Sequence, residues 1–293
     1  MAASVLYDQP GPRAKVRNRI LAVITIVVVA AIVWFIISQF AAAGQFAPQK
    51  WAFLQSPRIM QGFMQGAINT LTAFGLAAVL SLALGFILAV GRLSDHAWVR
   101  AIFSFLVETF RAIPLLILMM LLYYGLPTID VKLTPFTAVV IALTAYNGSV
   151  LAEAIRAGVV SLPKGQAEAA YAVGMRKYQV MTLILLPQAV KSMLPVIISQ
   201  LVVALKDTAL GFVITYQELL YQVKLVGNQI SFGYPLIPAA IVGAVMYIGL
   251  CLILSGVARY AEYRINKQPG TKKARAKMES VQVTYCLLYT SLM

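Results

Sequence analysis

Two pairs of oppositely charged residues are the clearest candidates for chemistry in a sequence with few charges. Glu108 and Arg111 lie three residues apart, and Glu153 and Arg156 repeat that spacing. On a helix, residues three apart share one face, so the two opposite charges of each pair can neutralise each other. Buried in an apolar environment, such pairs can also bind a polar ligand. We predict that they mainly brace helices, and ligand contact is the alternative.

Residues that could support catalysis, a metal ion or a nucleotide are few and scattered. His96 is the single histidine and lies in a short charged loop, while Cys251 and Cys286 have no spacing typical of a disulfide or metal site. The sequence contains no GxxxxGK[ST] loop for nucleotide phosphates. We therefore predict no catalytic residue, no metal site and no cofactor bound by this chain, which disfavours an intramembrane enzyme.

The composition indicates that these residues belong to a membrane protein. The 293 residues are 60% hydrophobic and 12% charged, and the mean hydropathy is +0.81. A soluble domain carries about a quarter charged residues. The net charge of +14 could suggest nucleic acid, but the basic residues cluster between long uncharged stretches, as they do in cytoplasmic loops. We predict no nucleic-acid partner.

Six stretches are long and apolar enough to cross a membrane as helices, which takes about 20 residues each. The first has a longer apolar core than a signal peptide, so we predict an uncleaved span. The predicted spans are 20–43, 66–90, 102–124, 136–154, 181–205 and 235–258. The predicted fold is therefore an all-α integral membrane protein with six transmembrane helices.

The distribution of lysine and arginine predicts the orientation of these spans. With both ends inside, the inner segments hold seventeen basic residues and the outer loops five, leaving Arg111 and Lys191 within spans. The positive-inside rule then places both termini in the cytoplasm. Residues 155–180, between the fourth and fifth spans, become the longest internal cytoplasmic loop.

This loop carries a pattern of fixed spacing, EAAYAVGMRKYQVMTLILLP, from Glu168 to Pro187. Its alanines make a helix with little side-chain bulk, and a glycine allows a turn that a β-carbon would resist. The chain here resembles the permease subunits of bacterial ABC importers, whose signature is EAA, three residues, Gly, nine residues, Ile, one residue and Leu-Pro. The matching residues are Glu168, Ala169, Ala170, Gly174, Ile184, Leu186 and Pro187. An ordinary alanine-rich loop helix is the alternative.

The resemblance implies a fold and a set of partners. It implies a five-helix permease core preceded by one N-terminal helix, with the cytoplasmic loop forming a coupling helix. Cytoplasmic ATPase subunits would bind ATP and Mg, a second permease subunit, identical or homologous, would pair with this one, and an extracytoplasmic solute-binding protein would deliver substrate. Transport would follow alternating access. An ion-gradient-driven secondary amino-acid transporter is the alternative, and its uptake would not depend on an ATPase.

Four further stretches resemble the polar amino-acid branch of this family. They are NTLTAF from Asn69, ETFRAIPLL from Glu108, AYNGSVLAEAIRAG from Ala145 and LKDTAL from Leu205, with Ala112 and Ala157 where the branch has glycine. The N-terminal VLYDQPGPRAKVRNRI resembles permeases of actinobacterial glutamate importers, so glutamate is a candidate substrate. Residues predicted to line the translocation path or brace helices are Asn69, Thr70, Glu108, Arg111, Pro114, Tyr146, Glu153, Arg156, Lys206, Asp207 and Thr208.

The predicted organisation has four parts in a multi-pass protein of the bacterial inner membrane. Residues 1–19 form a cytoplasmic N-terminus, 20–64 the N-terminal span and outer loop, 65–261 the permease domain, and 262–293 a cytoplasmic tail. Residues 281–293 break the pattern that precedes them. We expect them to be either non-native or a short tail without a role of its own.

Overall fold

The computed structural model describes residues 11–266, and the regular secondary structure of this range is entirely helical. The predictions for residues 1–10 and for 267–293, including those for the segment 281–293, lie outside the described residues. The α-helices are α1 (Pro12–Ala42), α2 (Pro48–Trp51), α3 (Pro57–Arg92), α4 (Ala97–Ala112), α5 (Leu115–Met120), α6 (Pro135–Val160), α7 (Lys164–Ala172), α8 (Lys177–Gln179), α9 (Leu186–Asp207), α10 (Leu219–Gly227) and α11 (Leu236–Asn266). Short 3-10 segments occupy Ala52–Gln55, Leu126–Ile129, Thr208–Ile214 and Ile230–Phe232, and π turns occupy Leu121–Gly125 and Val180–Leu185.

The membrane-spanning helices confirm the predicted all-α membrane fold. Within residues 11–266, five helical stretches are long and apolar enough to cross a bilayer, and a sixth span arises if a bent helix pair is counted as one. The five are Pro12–Ala42, Pro57–Arg92, Pro135–Val160, Lys177–Ile214 and Leu236–Arg264. Their apolar stretches match the predicted positions, although most helices extend beyond the predicted ends, because polar residues at the membrane surface continue a helix without being apolar.

The predicted third span is the exception, since it is not one straight helix. The segments Ala97–Ala112 and Leu115–Ile129 are bent by 97°. The break falls at Ile113, which is extended with φ −82° and ψ 122°, immediately before Pro114. A proline has no N–H to donate and forces the residue before it out of the helical region. Pro114 therefore divides this span, and it acts on the backbone rather than through a polar contact.

The chain divides into two compact units. The first comprises the residues up to Met60 together with Lys224–Ile241. Its long helix α1 has no buried residue. Its packed part is small: the ring of Phe53 is fully buried and meets Phe232 edge to face, with centroids 6.4 Å apart. An isolated apolar helix such as α1 is suited to a lipid environment, where its side chains need no protein partner.

The second unit comprises Gln61–Val223 and the residues from Val242 onward. Its central helix, α6, packs along both α4 and α9. Small residues allow the close approach of α3 to α6, because a β-carbon at Gly85 would lie 2.9 Å from Leu151 Cβ and 3.0 Å from the Gly148 carbonyl oxygen. Small residues at helix contacts are typical of membrane bundles, where packing replaces the hydrophobic effect.

Candidate functional site

The predicted coupling residues begin on a short exposed helix. Helix α7 follows Pro163, and Glu168 and Ala169 lie on its exposed surface. The next residue, Ala170, is only 4% exposed, and α7 packs against the π turn Val180–Leu185. The buried alanine thus holds the helix against the start of the next span, while Glu168 remains available to another protein.

Helix α7 ends in a turn that requires glycine. Gly174 has a φ of +82°, its N–H donates to the Tyr171 carbonyl at 2.9 Å, and the Met175 N–H donates to the Ala170 carbonyl at 3.2 Å. These two bonds form a Schellman motif, which satisfies carbonyls at a helix end and needs a left-handed residue. A side chain at Gly174 would meet open space, so the backbone conformation alone selects glycine here.

The last three motif residues form the connection to α9. Ile184 lies in the π turn, and its carbonyl accepts from Gln188 Nε2 at 3.0 Å. Leu186 is 3% exposed within the apolar cluster that contains Ala152 and Ile155 of α6. Pro187 stands in the first turn of α9. The π turn just before it relieves the clash that a proline ring makes with the carbonyl four residues earlier.

An ion pair joins the segment between α7 and α9 to the loop between α3 and α4. Lys177 Nζ forms an ion pair with Asp95, and both side chains are partly exposed. Sequence reasoning did not identify this pair, because the two residues lie far apart in the chain and each looks like an ordinary surface charge.

The charged residues of α3, α4 and α6 meet in one group, which we call the Glu153 cluster: Arg92, Glu108, Arg111, Glu153 and Arg156. Arg156 Nη2 donates to Glu153 Oε1 at 2.5 Å, and Arg92 Nη1 donates to Glu153 Oε2. Arg111 Nη1 lies 3.8 Å from the same Oε2 atom. One carboxylate therefore contacts three guanidinium groups from three helices, which is an arrangement suited to bracing.

The expected pairing of Glu108 with Arg111 is wrong. Among the ion pairs of residues 11–266, Glu108 lies 4.0 Å from Arg92, while Arg111 reaches Glu153. The side chain of Glu108 is 70% exposed, and a local ion pair on an exposed face gains little. The more buried carboxylate of Glu153 attracts Arg111 instead. Arg92 is the least exposed member of the cluster, at 11%.

Polar residues in the middle of the bundle mostly satisfy one another. Gln200 Nε2 donates to Asn147 Oδ1 at 2.8 Å, which joins α9 to α6. Thr70 is fully buried and donates to the Gly66 carbonyl at 3.0 Å. The Tyr146 carbonyl accepts from Ser149 Oγ at 2.6 Å. The contact between Gln200 and Asn147 braces two helices, whereas those of Thr70 and Ser149 lie within a single helix.

Asn69 differs from these residues because it lines a cavity. Its Nδ2 donates to the Gln217 carbonyl at 2.7 Å, and its carbonyl accepts from the Tyr216 hydroxyl at 2.7 Å. The cavity has a volume of about 380 Å³, and Thr72, Thr134 and Gln217 also line it. The adjoining Thr215 has a φ of +62°, which is costly for a β-branched residue. Neither this cavity nor this strain had a signal in the sequence.

The end of α9 carries the remaining predicted residues. Thr208 is fully buried, and its hydroxyl donates to the Leu205 carbonyl at 2.7 Å. Lys206 is exposed and lines a separate cavity of about 540 Å³ beside α10 and α11. Asp207 is half-buried. No hydrogen bond or ion pair found among residues 11–266 involves the side chain of Lys206 or of Asp207.

Glu218 is a buried carboxylate that sequence reasoning missed. It is fully buried and stands just before α10, where its Oε2 accepts from the Leu220 N–H and its Oε1 from the Tyr221 N–H, both at 2.7 Å. The Tyr247 hydroxyl donates to Oε2 at 2.5 Å. A carboxylate that accepts backbone N–H groups at a helix start is an N-cap, so Glu218 has a structural role.

Together these features define a class of protein: a multi-span membrane protein with a helix bundle and an exposed, glycine-terminated helix between two spans. A family model described as "Binding-protein-dependent transport system inner membrane component" matches residues 81–267. This range includes the whole α7 region and the Glu153 cluster. The chain belongs to this family of inner-membrane transport components.

Individual relatives agree with the family. The chain is 39% identical to "Glutamate transport system permease protein GluD" of Corynebacterium glutamicum, over 80% of this chain and 86% of that protein. It is 35% identical to "Probable glutamine ABC transporter permease protein GlnP" of Bacillus subtilis, over 68% of this chain and 91% of that one. The solved "Crystal structure of an amino acid ABC transporter with histidines" aligns with a TM-score of 0.65 at 30% identity, covering 72% of this chain and 98% of the other.

Proposed function

We propose that this chain is the transmembrane permease subunit of an ATP-driven importer of polar amino acids, with glutamate as the first candidate substrate. The names of its relatives support the substrate class, since they describe glutamate and glutamine permeases. The chain itself would be non-catalytic. Partner ATPase subunits would bind ATP and Mg and hydrolyse the nucleotide.

The observation that carries the proposal is the exposed helix α7 with its glycine turn. Glu168 and Ala169 are exposed, whereas Ala170 and Leu186 anchor the segment to the bundle. A short helix held at one face and free at the other can receive a force and pass it to α9. In the proposed mechanism, nucleotide binding by the ATPases moves α7, and the spans alternate between inward-open and outward-open states.

The remaining partners and the orientation belong to the same proposal. A second permease subunit, identical or homologous, would complete the transport path, and an extracytoplasmic solute-binding protein would deliver the amino acid. Both termini would lie in the cytoplasm, as the excess of basic residues in the inner segments indicates. Under this orientation the α7 loop faces the ATPases, and the Asn69 cavity and the Lys206 cavity lie toward the outside.

The test uses the assembled transporter in proteoliposomes with ATP inside. Glu168→Lys reverses the exposed charge of α7, and Gly174→Val forces a β-branched residue into a left-handed turn. We expect both variants to insert and to lose ATP-driven uptake of L-glutamate. Gly165→Ala is the matched control, because Gly165 lies on the same helix with open space around it. We expect it to transport normally.

A second arm separates the proposal from an ion-gradient-driven transporter. Uptake should persist when ionophores collapse the ion gradients and should stop when ATP is omitted. Gradient-dependent uptake that needs no ATP, or normal uptake by both α7 variants, would contradict the proposal.

A further inference from the structure

We propose that four basic residues in the first two turns of α1 bind the headgroups of anionic phospholipids. This α1 basic cluster consists of Arg13, Lys15, Arg17 and Arg19, and all four side chains are exposed. It lies outside residues 81–267, the range that the family model matches. The site is therefore separate from the proposed transport function and does not depend on the identity of the cargo.

The charges of the α1 basic cluster are not balanced within the described part of the chain. No hydrogen bond or ion pair found among residues 11–266 involves any of the four side chains. The sequence has no aspartate or glutamate from residue 11 to residue 94, and Asp8, which precedes the cluster, can balance only one of the four charges. By contrast, Lys177 forms an ion pair with Asp95. The cluster thus carries a positive charge that an anion outside the protein can neutralise.

The cluster does not stabilise its own helix either. Arg13 and Arg17 lie four residues apart, and like charges at this spacing repel each other on a helix. Lys15 and Arg19 repeat the arrangement. The first turn of α1 contains no acidic residue, and cations at this end oppose the helix dipole. Since the helix loses stability from these charges, a favourable interaction with another molecule is the physical reason for them.

The apolar part of α1 places the cluster at the membrane surface. Residues 20–42 contain no charged side chain, and at 1.5 Å per residue they extend about 34 Å, which is enough to cross the hydrocarbon core of about 30 Å. The helix begins at Pro12, so the cluster occupies about 12 Å of helix directly beyond that core. This is the layer that contains the phosphate groups of the lipids.

The arrangement of the four charges favours lipids over an acidic protein surface. With 3.6 residues per turn, Arg13 and Arg17 lie on one side of α1, and the other two basic residues lie about 160° away. No residue of α1 is buried within the described structure. A docked protein would contact one side of the helix, whereas a layer of lipids surrounds it and can neutralise both pairs. Basic side chains next to a span are attracted to anionic lipids, and they donate charge-assisted hydrogen bonds to phosphate oxygens.

The experiment measures lipid binding by the purified full chain. The protein is equilibrated in micelles with equal amounts of phosphatidylglycerol and phosphatidylethanolamine, and native mass spectrometry gives the ratio of the two bound lipids. The test variant replaces all four residues of the α1 basic cluster with glutamine. Each basic residue near an anionic surface contributes about a fivefold preference. We therefore expect the wild type to enrich phosphatidylglycerol and the variant to lower the bound ratio at least about tenfold.

Two controls separate a specific site from a general effect of charge. Replacing Arg13, Arg17 and Arg19 with lysine keeps the charge and should keep the ratio close to that of the wild type. Arg58→Gln combined with Lys132→Gln removes two exposed charges that have no basic neighbour close in the sequence, and it should leave the ratio unchanged. Arg17→Gln combined with Arg19→Gln removes the same number of charges from the cluster and should lower the ratio several-fold.

The outcomes distinguish this inference from the proposed function. Equal bound ratios for the wild type and the fourfold variant would overturn the inference, as would equal losses in the two double variants. An unchanged ratio together with loss of the ATPase subunits from the assembled transporter would assign the cluster to an acidic protein surface and also overturn it. Absence of ATP-driven uptake by the wild type would contradict the proposed function alone, because the lipid measurement needs no transport.

Discussion

Two places in the second unit differ in how closely their charged side chains are paired. In the Glu153 cluster, one carboxylate contacts Arg92, Arg111 and Arg156. By contrast, Lys206, on the wall of a cavity of about 540 Å³, is exposed, and among residues 11–266 its charge interacts with the neighbouring carboxylate of Asp207 without a close ion pair. Both sites lie on membrane-spanning helices, where an uncompensated charge is expensive.

The difference indicates which site is structural and which can bind a ligand. A carboxylate shared by three arginines has little capacity left for another molecule, and it ties α3, α4 and α6 together beside the start of α7. Lys206 is exposed and borders open space, so it is not held by a comparable network. We therefore interpret the Glu153 cluster as a brace between α3, α4 and α6, whereas the cavity beside Lys206 leaves space for another molecule.

The largest expected effect concerns the brace. Glu153→Gln leaves Arg92, whose side chain is 11% exposed, with only the more distant and exposed carboxylate of Glu108, 4.0 Å away, among the described residues. We expect the free energy of unfolding to fall by about 3 kcal/mol, since removing one partner of a buried ion pair strands the other. Denaturation by SDS titration measures it. Glu108→Gln is the control, because Glu108 is 70% exposed, and equal stability of the two variants would refute the bracing role.

The next prediction tests whether α3 and α4 are tightly packed beside the Glu153 cluster. A β-carbon at Gly91 would lie 2.3 Å from Phe103 Cγ, so Gly91→Ala should cost about 1–3 kcal/mol through overpacking. Gly75→Ala on the same helix is the control, because open space surrounds Gly75. The same SDS titration applies. Equal tolerance at both glycines would mean that α3 and α4 are loosely joined beside the cluster.

A third prediction sharpens the picture of the Lys206 cavity. Cys251 lines that cavity, so a substrate that occupies this space should slow the reaction of Cys251 with N-ethylmaleimide. At a substrate concentration of about ten times Kd, the rate should fall about tenfold, because only the unliganded fraction reacts. The measurement uses a Cys286→Ser background, with Cys251→Ser as the unreactive control. An unchanged rate at saturating substrate would show that the cargo does not occupy this space.

The smallest effect is expected at the ion pair between Asp95 and Lys177, whose side chains are 71% and 41% exposed. Asp95→Asn should change the free energy of unfolding by less than about 1 kcal/mol, because exposed ion pairs are weak and salt screens them. Repeating the titration at high salt should remove even this difference. A loss as large as that of Glu153→Gln would show that the brace extends into the α7 loop.

Much of this arrangement could be predicted from individual residues. Apolar stretches of sufficient length predicted the spans, and the spacing from Glu168 to Pro187 indicated a glycine-terminated helix, because Gly174 must adopt a left-handed conformation in that turn. Pro114 was noticed as part of a motif, yet its effect on the backbone was not predicted. Hydropathy averages over a window, so it does not register a single residue that bends a helix by 97°.

The pairing of charges was beyond the reach of sequence reasoning. Spacing along one helix suggested Glu108 with Arg111, but Glu153 lies close enough to draw Arg111 across to α6. Glu218 gave no signal, because a glutamate before a short helix looks like any surface residue until Tyr247 is found beside it. Contacts of this kind depend on which helices are neighbours, and local periodicity does not contain that information.

The amino-acid sequence by itself determined the class of protein, the positions of its apolar spans and the position of the glycine-terminated helix α7, because hydrophobicity, chain length and backbone preference act locally. Tertiary structure decided which charges are satisfied and which remain available. That outcome depends on distances between side chains from different helices. In a medium with little water, an opposite charge a few ångströms away decides whether a charged side chain is paired.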